Sequence, residues 1–159
     1  AALFADDVAG ANVWLASHSK SDADTIAASL GGCTIAGQTI AEDASLESLA
    51  PAVVTAADAM GGISGVVFAP TIPSCAPWFL EISETSFRSY TDTANALFSV
   101  CACALPYLIG ESTAFVKIKK PPAGTVGADV LIAAEETIAD ALRRELASMG
   151  VLGIEISLV

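Results

Sequence analysis

The sequence predicts an α/β fold, a three-layer αβα sandwich built around a mostly parallel sheet. Three observations predict it. Short apolar runs alternate with segments of helical period along the whole chain. The segments between the runs are long enough for right-handed crossovers between parallel strands. The run Ile63 to Ala69 is apolar nearly throughout, as a strand covered on both faces requires. A chain of 159 residues is long enough to bury a core as one domain, and no internal repeat or compositional break divides residues 1–159.

Taken in order, Asn12 to Ala16 reads as a short strand after a Gly-Ala turn. Ser21 is the expected cap of a helix from Asp22 to Leu30, with acidic residues in its first turn and Gly31-Gly32 to end it. Cys33 to Ala36 is the second strand. Ser45 to Met60 carries Leu46, Leu49, Val53, Val54 and Ala57 at helical spacing, and Pro51 is a natural start for its regular part. Gly61-Gly62 stops it before the Ile63 to Ala69 strand. Ser83 caps a long helix, Glu84 to Ile109, with Phe87, Tyr90, Ala94, Leu97, Phe98 and Cys101 as one apolar stripe. Thr113 to Ile118 is a strand, Pro121, Pro122 and Gly124 form a loop, Gly127 to Met149 is a helix closed by Gly150, and Leu152 to Val159 is the last strand.

Composition narrows the function. The hydrophobic fraction is 53% and the charged fraction 16%, which excludes a disordered chain. No apolar run reaches the roughly 18 residues of a membrane span; the closest, Ala94 to Ile109, is interrupted by Asn95, Ser99 and Pro106. A net charge of −11 with only seven Lys and Arg argues against a nucleic-acid partner. The four cysteines, Cys33, Cys75, Cys101 and Cys103, form no Cys-x-x-Cys pair and there is a single His18, so no metal site is expected. The cysteines read as small buried hydrophobes of a reducing compartment. The chain opens at Ala1 without methionine, which fits a removed leader or further residues upstream; no retained secretory signal is visible.

Several phrases then carry a resemblance. Ala11-Asn-Val-Trp-Leu-Ala-Ser17, Phe79-Leu-Glu-Ile-Ser-Glu-Thr-Ser-Phe87, Ala104-Leu-Pro-Tyr-Leu108 and the stretch Ala139 to Val151, with Leu142-Arg-Arg-Glu-Leu146, are in order and spacing similar to the short-chain dehydrogenase/reductase family. The resemblance covers nearly all of the chain. It implies a Rossmann-like sheet trimmed at both ends, since the family begins with a strand and glycine-rich phosphate loop that would precede Ala1. A rival reading makes Ala2 to Ala5 that strand but leaves no room for a crossover helix. The family also continues to a seventh strand and substrate lid beyond the position of Val159.

The family's functional positions carry over with their chemistry missing. Its Asn, Ser, Tyr and Lys fall on Thr93, Lys119, Ala128 and Ile132, and neither alanine nor isoleucine can donate a proton or lower a pKa. The cofactor-discriminating position after the second strand reads Ser17 and His18, reminiscent of the NADP type with His for Arg. A largely neutral imidazole cannot hold a phosphate bidentately. The adenine-side Asp falls on Thr39, and Asn-Asn-Ala-Gly falls on Phe68-Ala-Pro-Thr71, where Phe68 is expected to project bulk into the cofactor's place and Pro70 removes an N–H. Ser17, His18, Thr39 and Phe68 are thus vestiges, and no cofactor is expected.

Other constellations have ordinary explanations. No Gly-x-Ser-x-Gly elbow supports a triad with His18. Glu135 and Glu136 diverge by about 100° on a helix and read as a solvated acidic face. Lys117, Lys119 and Lys120 are a basic cluster that either protects a strand edge or binds an anion. The favoured expectation is a non-catalytic accessory or structural subunit acting by protein contact. Its surface would be the helices 84–109 and 127–149, through Leu97, Val100, Leu105, Ile138 and Leu142, against other subunits or a second copy. An energy-converting complex of a mitochondrion or plastid fits that pattern. The alternatives are an NAD(P)-dependent oxidoreductase with an incomplete sequence or a displaced site, NADP being the cofactor, and a nucleotide-binding regulator.

Overall fold

A computed structural model describes residues 12–17, 19–29, 34–39, 45–70, 77–109 and 113–159. Within them the chain runs β1 (Asn12–Ser17), α1 (Lys20–Ser29), β2 (Thr34–Thr39), α2 (Leu46–Met60), β3 (Gly65–Phe68), a short 3-10 turn (Phe79–Glu81), α3 (Glu84–Leu108), β4 (Ala114–Ile118), α4 (Val126–Ser148) and β5 (Ile154–Leu158). The strand–helix alternation expected from the sequence is therefore present. Cys33, Leu30, Gly31-Gly32 and the stretch Ala1 to Ala11 lie outside the described residues.

Local chemistry explains where the helices begin. Ser45, Ser83 and Thr125 each stand in extended conformation before a helix and accept a hydrogen bond from the backbone N–H three residues on, at Ser48, Ser86 and Ala128. Two starts differ from expectation. α1 begins earlier, because Ser19 rather than Ser21 supplies the capping oxygen, accepting from the Asp22 N–H at 3.3 Å. α2 begins at Leu46, not at Pro51, because Ser45 caps it; Pro51 sits inside the helix on an exposed face, where the backbone bond it cannot make is met by solvent. Gly61, at φ 77°, ends α2 in the left-handed region, where a side chain would be strained.

Every described strand pairing is parallel, but the strands form two hydrogen-bonded sheets, β1-β2 and β3-β4-β5. Asn12 pairs with Thr34 and Ser17 with Thr39 in the first; Phe68 lies opposite Ile118, and Ile118 opposite Leu158, in the second. Helix α1 packs on β1 and β2. Helix α2 packs on α3, and α3 on α4, forming a row whose inner side meets the strands.

The core sits between the inner faces of α3 and α4 and the second sheet. Leu97, Ala104 and Leu108 of α3, Val116 and Ile118 of β4, Ala139 and Leu146 of α4, Phe68 of β3 and Ile156 of β5 form one buried cluster. β4 alternates buried and half-buried residues along its length, the period of a strand with one face on the core. Each buried Leu, Ile or Val contributes about 1.5–3 kcal/mol, so this seam between α3, α4 and β4 stabilises the fold most.

The expected stripe on α3 divides. Tyr90, Leu97 and Cys101 face the core, but Phe87 and Phe98 are about half exposed. Leu97 and Phe98 are adjacent, some 100° apart around the axis, so they cannot share one narrow face.

Candidate functional site

Of the residues that the resemblance places at catalytic positions, Lys119 follows β4, Ala128 and Ile132 stand in the first turns of α4, and Thr93 lies on α3. The Lys119 N–H donates to the Phe68 carbonyl at 2.9 Å, so this position still belongs to the sheet ladder. Ala128 is wholly buried, and Ile132, one turn on, is half-buried. Thr93 spends its hydroxyl on its own helix, donating to the Ser89 carbonyl at 2.9 Å. Ala128 and Ile132 are aliphatic and carry no proton-transfer group.

Of the cofactor-side positions, Ser17 and Phe68 are described with their side chains. Ser17 Oγ accepts from the Ser19 N–H at 3.2 Å, a local turn contact. His18 lies outside the described residues, and of Thr39 only its backbone place at the end of β2 is described. Phe68 is buried. Its ring joins the hydrophobic core shared with α3, α4 and β4.

Gly127 shows why the start of α4 is so tightly closed. A Cβ there would strike the Tyr90 hydroxyl and ring, and Tyr90 is itself almost fully buried. The absent side chain lets α3 and α4 approach at this point. Gly127→Ala is therefore expected to cost about 1–3 kcal/mol as overpacking, read as a lowered urea midpoint; an unchanged midpoint would show that Tyr90 moves aside freely.

Among the candidate interface residues, Leu97 and Leu142 prove to be core residues, at 0% and 8% exposed. Both belong to the buried core of this chain. Val100, Leu105 and Ile138 are half-buried and pack against the core's edge. What the outer surface of α3 offers instead is Phe87 and Phe98. Phe87 also rims a shallow crevice of about 80 Å³ whose other lining residues include Thr91, Ala94, Val130 and Ala134. Sequence reasoning also passed over Trp78, Phe79 and Leu80, which stand fully or largely exposed in the turn before α3. Three consecutive large apolar residues before a serine cap were the available signal.

The charged residues hold one unexpected feature. Glu136 is exposed, as an acidic face requires, but Glu135 is wholly buried and neither of its carboxylate oxygens accepts a hydrogen bond from the chain. The reading of the pair as one solvated face is thus wrong for Glu135, which follows Ala128 and Leu131 along the inner stripe of α4. Burial pushes its carboxyl up to about 7, against the opposing pull of Lys120. Lys120 Nζ meets Glu136 Oε1 at 3.4 Å, and Arg143 pairs with Asp140 while donating to the Ile156 carbonyl at 2.8 Å. Together with Leu158 these four charged residues line a polar cleft of about 300 Å³.

Burial also pushes the Cys101 thiol up, to about 11, and raises Cys103, which disfavours the thiolate at both. Cys75 and Cys33 lie outside the described residues. Among the described residues no three His, Cys, Asp or Glu side chains are placed to share a metal ion, and no helix is long and apolar enough to cross a membrane.

No protein-family model matches the chain, and no curated protein matches it in sequence. Solved structures do. An NADPH-bound short-chain oxidoreductase from Pseudomonas aeruginosa PAO1, described as containing an atypical catalytic center, superposes with a TM-score of 0.74 over 99% of this chain at 12% identity. The chain has the short-chain oxidoreductase fold. L-Sorbose reductase from Gluconobacter frateurii, complexed with NADPH and L-sorbose, gives 0.77 over 99% at 16% identity. An alcohol dehydrogenase from the archaeon Thermococcus sibiricus, complexed with 5-hydroxy-NADP, gives 0.78 over 99% at 14%. The chain spans 63%, 61% and 66% of those proteins, respectively. At such identities the likeness establishes the short-chain oxidoreductase fold and leaves activity to be argued from the residues.

Proposed function

We propose that this chain is a non-catalytic domain of short-chain oxidoreductase fold that acts by protein contact, as an accessory or structural subunit. The observation that carries the reading is the start of α4, where Ala128 is wholly buried and Ile132 is aliphatic. A general acid contributes roughly 10²–10⁴-fold to a rate, and these positions supply none. The exposed apolar residues Phe87 and Phe98 on α3, with the crevice toward Val130 and Ala134, support contact as the role.

The test separates contact from chemistry. Native mass and sedimentation of the purified protein are expected to show an assembly, either of copies or with a co-purifying subunit. Phe87→Glu combined with Phe98→Glu is expected to dissociate it while the circular-dichroism spectrum stays that of the wild type, since both side chains already reach solvent. A monomeric wild type at high concentration without any co-purifying subunit counts against the proposal.

A second reading has one support. The solved structures that share the fold include proteins bound to NADPH, one of them with a catalytic center described as atypical. On that reading the chain is part of an NADP-dependent oxidoreductase whose proton donor has moved. Calorimetry with NADPH decides between them: the contact reading expects no heat of binding at millimolar cofactor, and a micromolar Kd with turnover of a carbonyl substrate would replace it.

A further inference from the structure

Three of the exposed large apolar side chains stand together in one turn. Trp78, Phe79 and Leu80 are consecutive, and they are 68%, 75% and 98% exposed. A lone apolar residue at the surface is ordinary, but a contiguous group of large ones, with a tryptophan among them, marks a contact site.

The turn is held by its own backbone. The Glu81 N–H donates to the Trp78 carbonyl at 3.0 Å, and the Ile82 N–H to the Phe79 carbonyl at 3.3 Å. Ser83 follows directly as the cap of α3, so the turn is fixed to the end of a 25-residue helix. The three side chains are thus presented in advance, with little ordering left to be done on contact. Two carbonyls that would otherwise call for water already have donors, which lowers the cost of carrying this backbone into an apolar medium.

Shape and charge select the kind of surface. Phe79 and Leu80 diverge by about 120° around a 3-10 turn, and Leu80 is open on nearly every side. A groove in a partner protein covers one side of such a turn, whereas a fluid apolar phase surrounds all of it. The flanking residues Glu81 and Glu84 are exposed carboxylates, the nearest basic residue in sequence, Arg88, is paired with Glu84 at 3.3 Å, and the chain carries a net charge of −11. That acidic collar repels anionic headgroups and complements the outer ammonium layer of choline headgroups.

We propose that the Trp78-Phe79-Leu80 turn is a wedge that inserts reversibly into the surface of an uncharged lipid layer of the phosphatidylcholine kind. Leu80 leads into the acyl region, and the Trp78 indole, apolar with one N–H donor, rests at headgroup level. The attachment is peripheral, since no helix among the described residues is long and apolar enough to cross a membrane. The wedge does not depend on the contact reading, which rests on Phe87 and Phe98.

Tryptophan fluorescence of the whole protein tests it. Phosphatidylcholine vesicles at millimolar lipid are expected to shift the emission to the blue, and brominated phosphatidylcholine to quench it. The chain has two tryptophans, so Trp78→Phe, at an exposed position, assigns the response by removing it. Leu80→Glu, also exposed, should weaken vesicle binding by about tenfold to a hundredfold, the share of transfer free energy that one leucine carries. Replacing a third of the lipid with phosphatidylserine should weaken binding further. An emission that does not move with lipid overturns the wedge. So does a response that persists in Leu80→Glu, or one that grows with phosphatidylserine. A Trp78 emission already blue without lipid, and red-shifted on dilution, assigns the turn to a protein partner or second copy and overturns it as well.

Discussion

Replacing Leu97 with glutamate is expected to unfold the domain and not merely to detach a partner. Leu97 has no exposed surface and stands in the middle of α3 against β4 and α4. Removing its side chain to Cβ would by itself cost about 2–5 kcal/mol. A carboxylate forced into the same place adds a desolvation penalty of several kcal/mol. The sum approaches the roughly 5–15 kcal/mol total stability of an ordinary domain. Far-ultraviolet circular dichroism should lose its cooperative thermal transition in Leu97→Glu, while Leu97→Met, which conserves volume, should shift it only modestly. A folded, cooperative Leu97→Glu protein would mean that α3 packs differently from the structure described. Any test of an interface on this helix must therefore use Phe87 and Phe98.

Replacing Glu135 with leucine is expected to do the opposite and to stabilise the protein, most at alkaline pH. Burial pushes the carboxyl up to about 7 in the folded chain, from an ordinary value of 4.5. Its folded-state affinity for a proton is thus raised. The stability linked to that proton is fully present below pH 4.5 and is lost as pH rises through 7, because the unfolded chain has already released it. That loss is on the order of 3 kcal/mol. The leucine variant should therefore exceed the wild type by an amount of that order at pH 8 in urea melts, and by distinctly less at pH 5. The comparison of the two pH profiles cancels the contribution of the other carboxylates. Parallel profiles for wild type and variant would show that Glu135 is solvated in the folded protein.

Much of the fold was legible because its signals are local. A serine or threonine before a helical run, a glycine pair after one, and an apolar run between glycines each act within a few residues. Ser45, Ser83 and Thr125 cap where the sequence pattern allows, and Gly61 ends α2. That Ala128 and Ile132 carry no proton donor is likewise plain from the sequence, since no contact can turn alanine or isoleucine into one. The choice between Ser19 and Ser21 was not, because both precede the same helical run and only the chain's entry angle decides which hydroxyl reaches the Asp22 N–H.

The sequence by itself determined the strand–helix order and the parallel α/β class. Tertiary structure alone decided which faces are covered. Leu97 and Phe98 are equally apolar neighbours, yet one is core and the other half in solvent. Glu135 and Glu136 are identical residues side by side, yet one is buried without a hydrogen-bond partner and the other pairs with Lys120. Tertiary structure likewise decided that the described strands pair as β1-β2 and β3-β4-β5. Burial and strand pairing depend on segments far away in the chain. Side-chain identity sets what a residue costs when covered, and the packing of α3 and α4 on β4 sets which residues are.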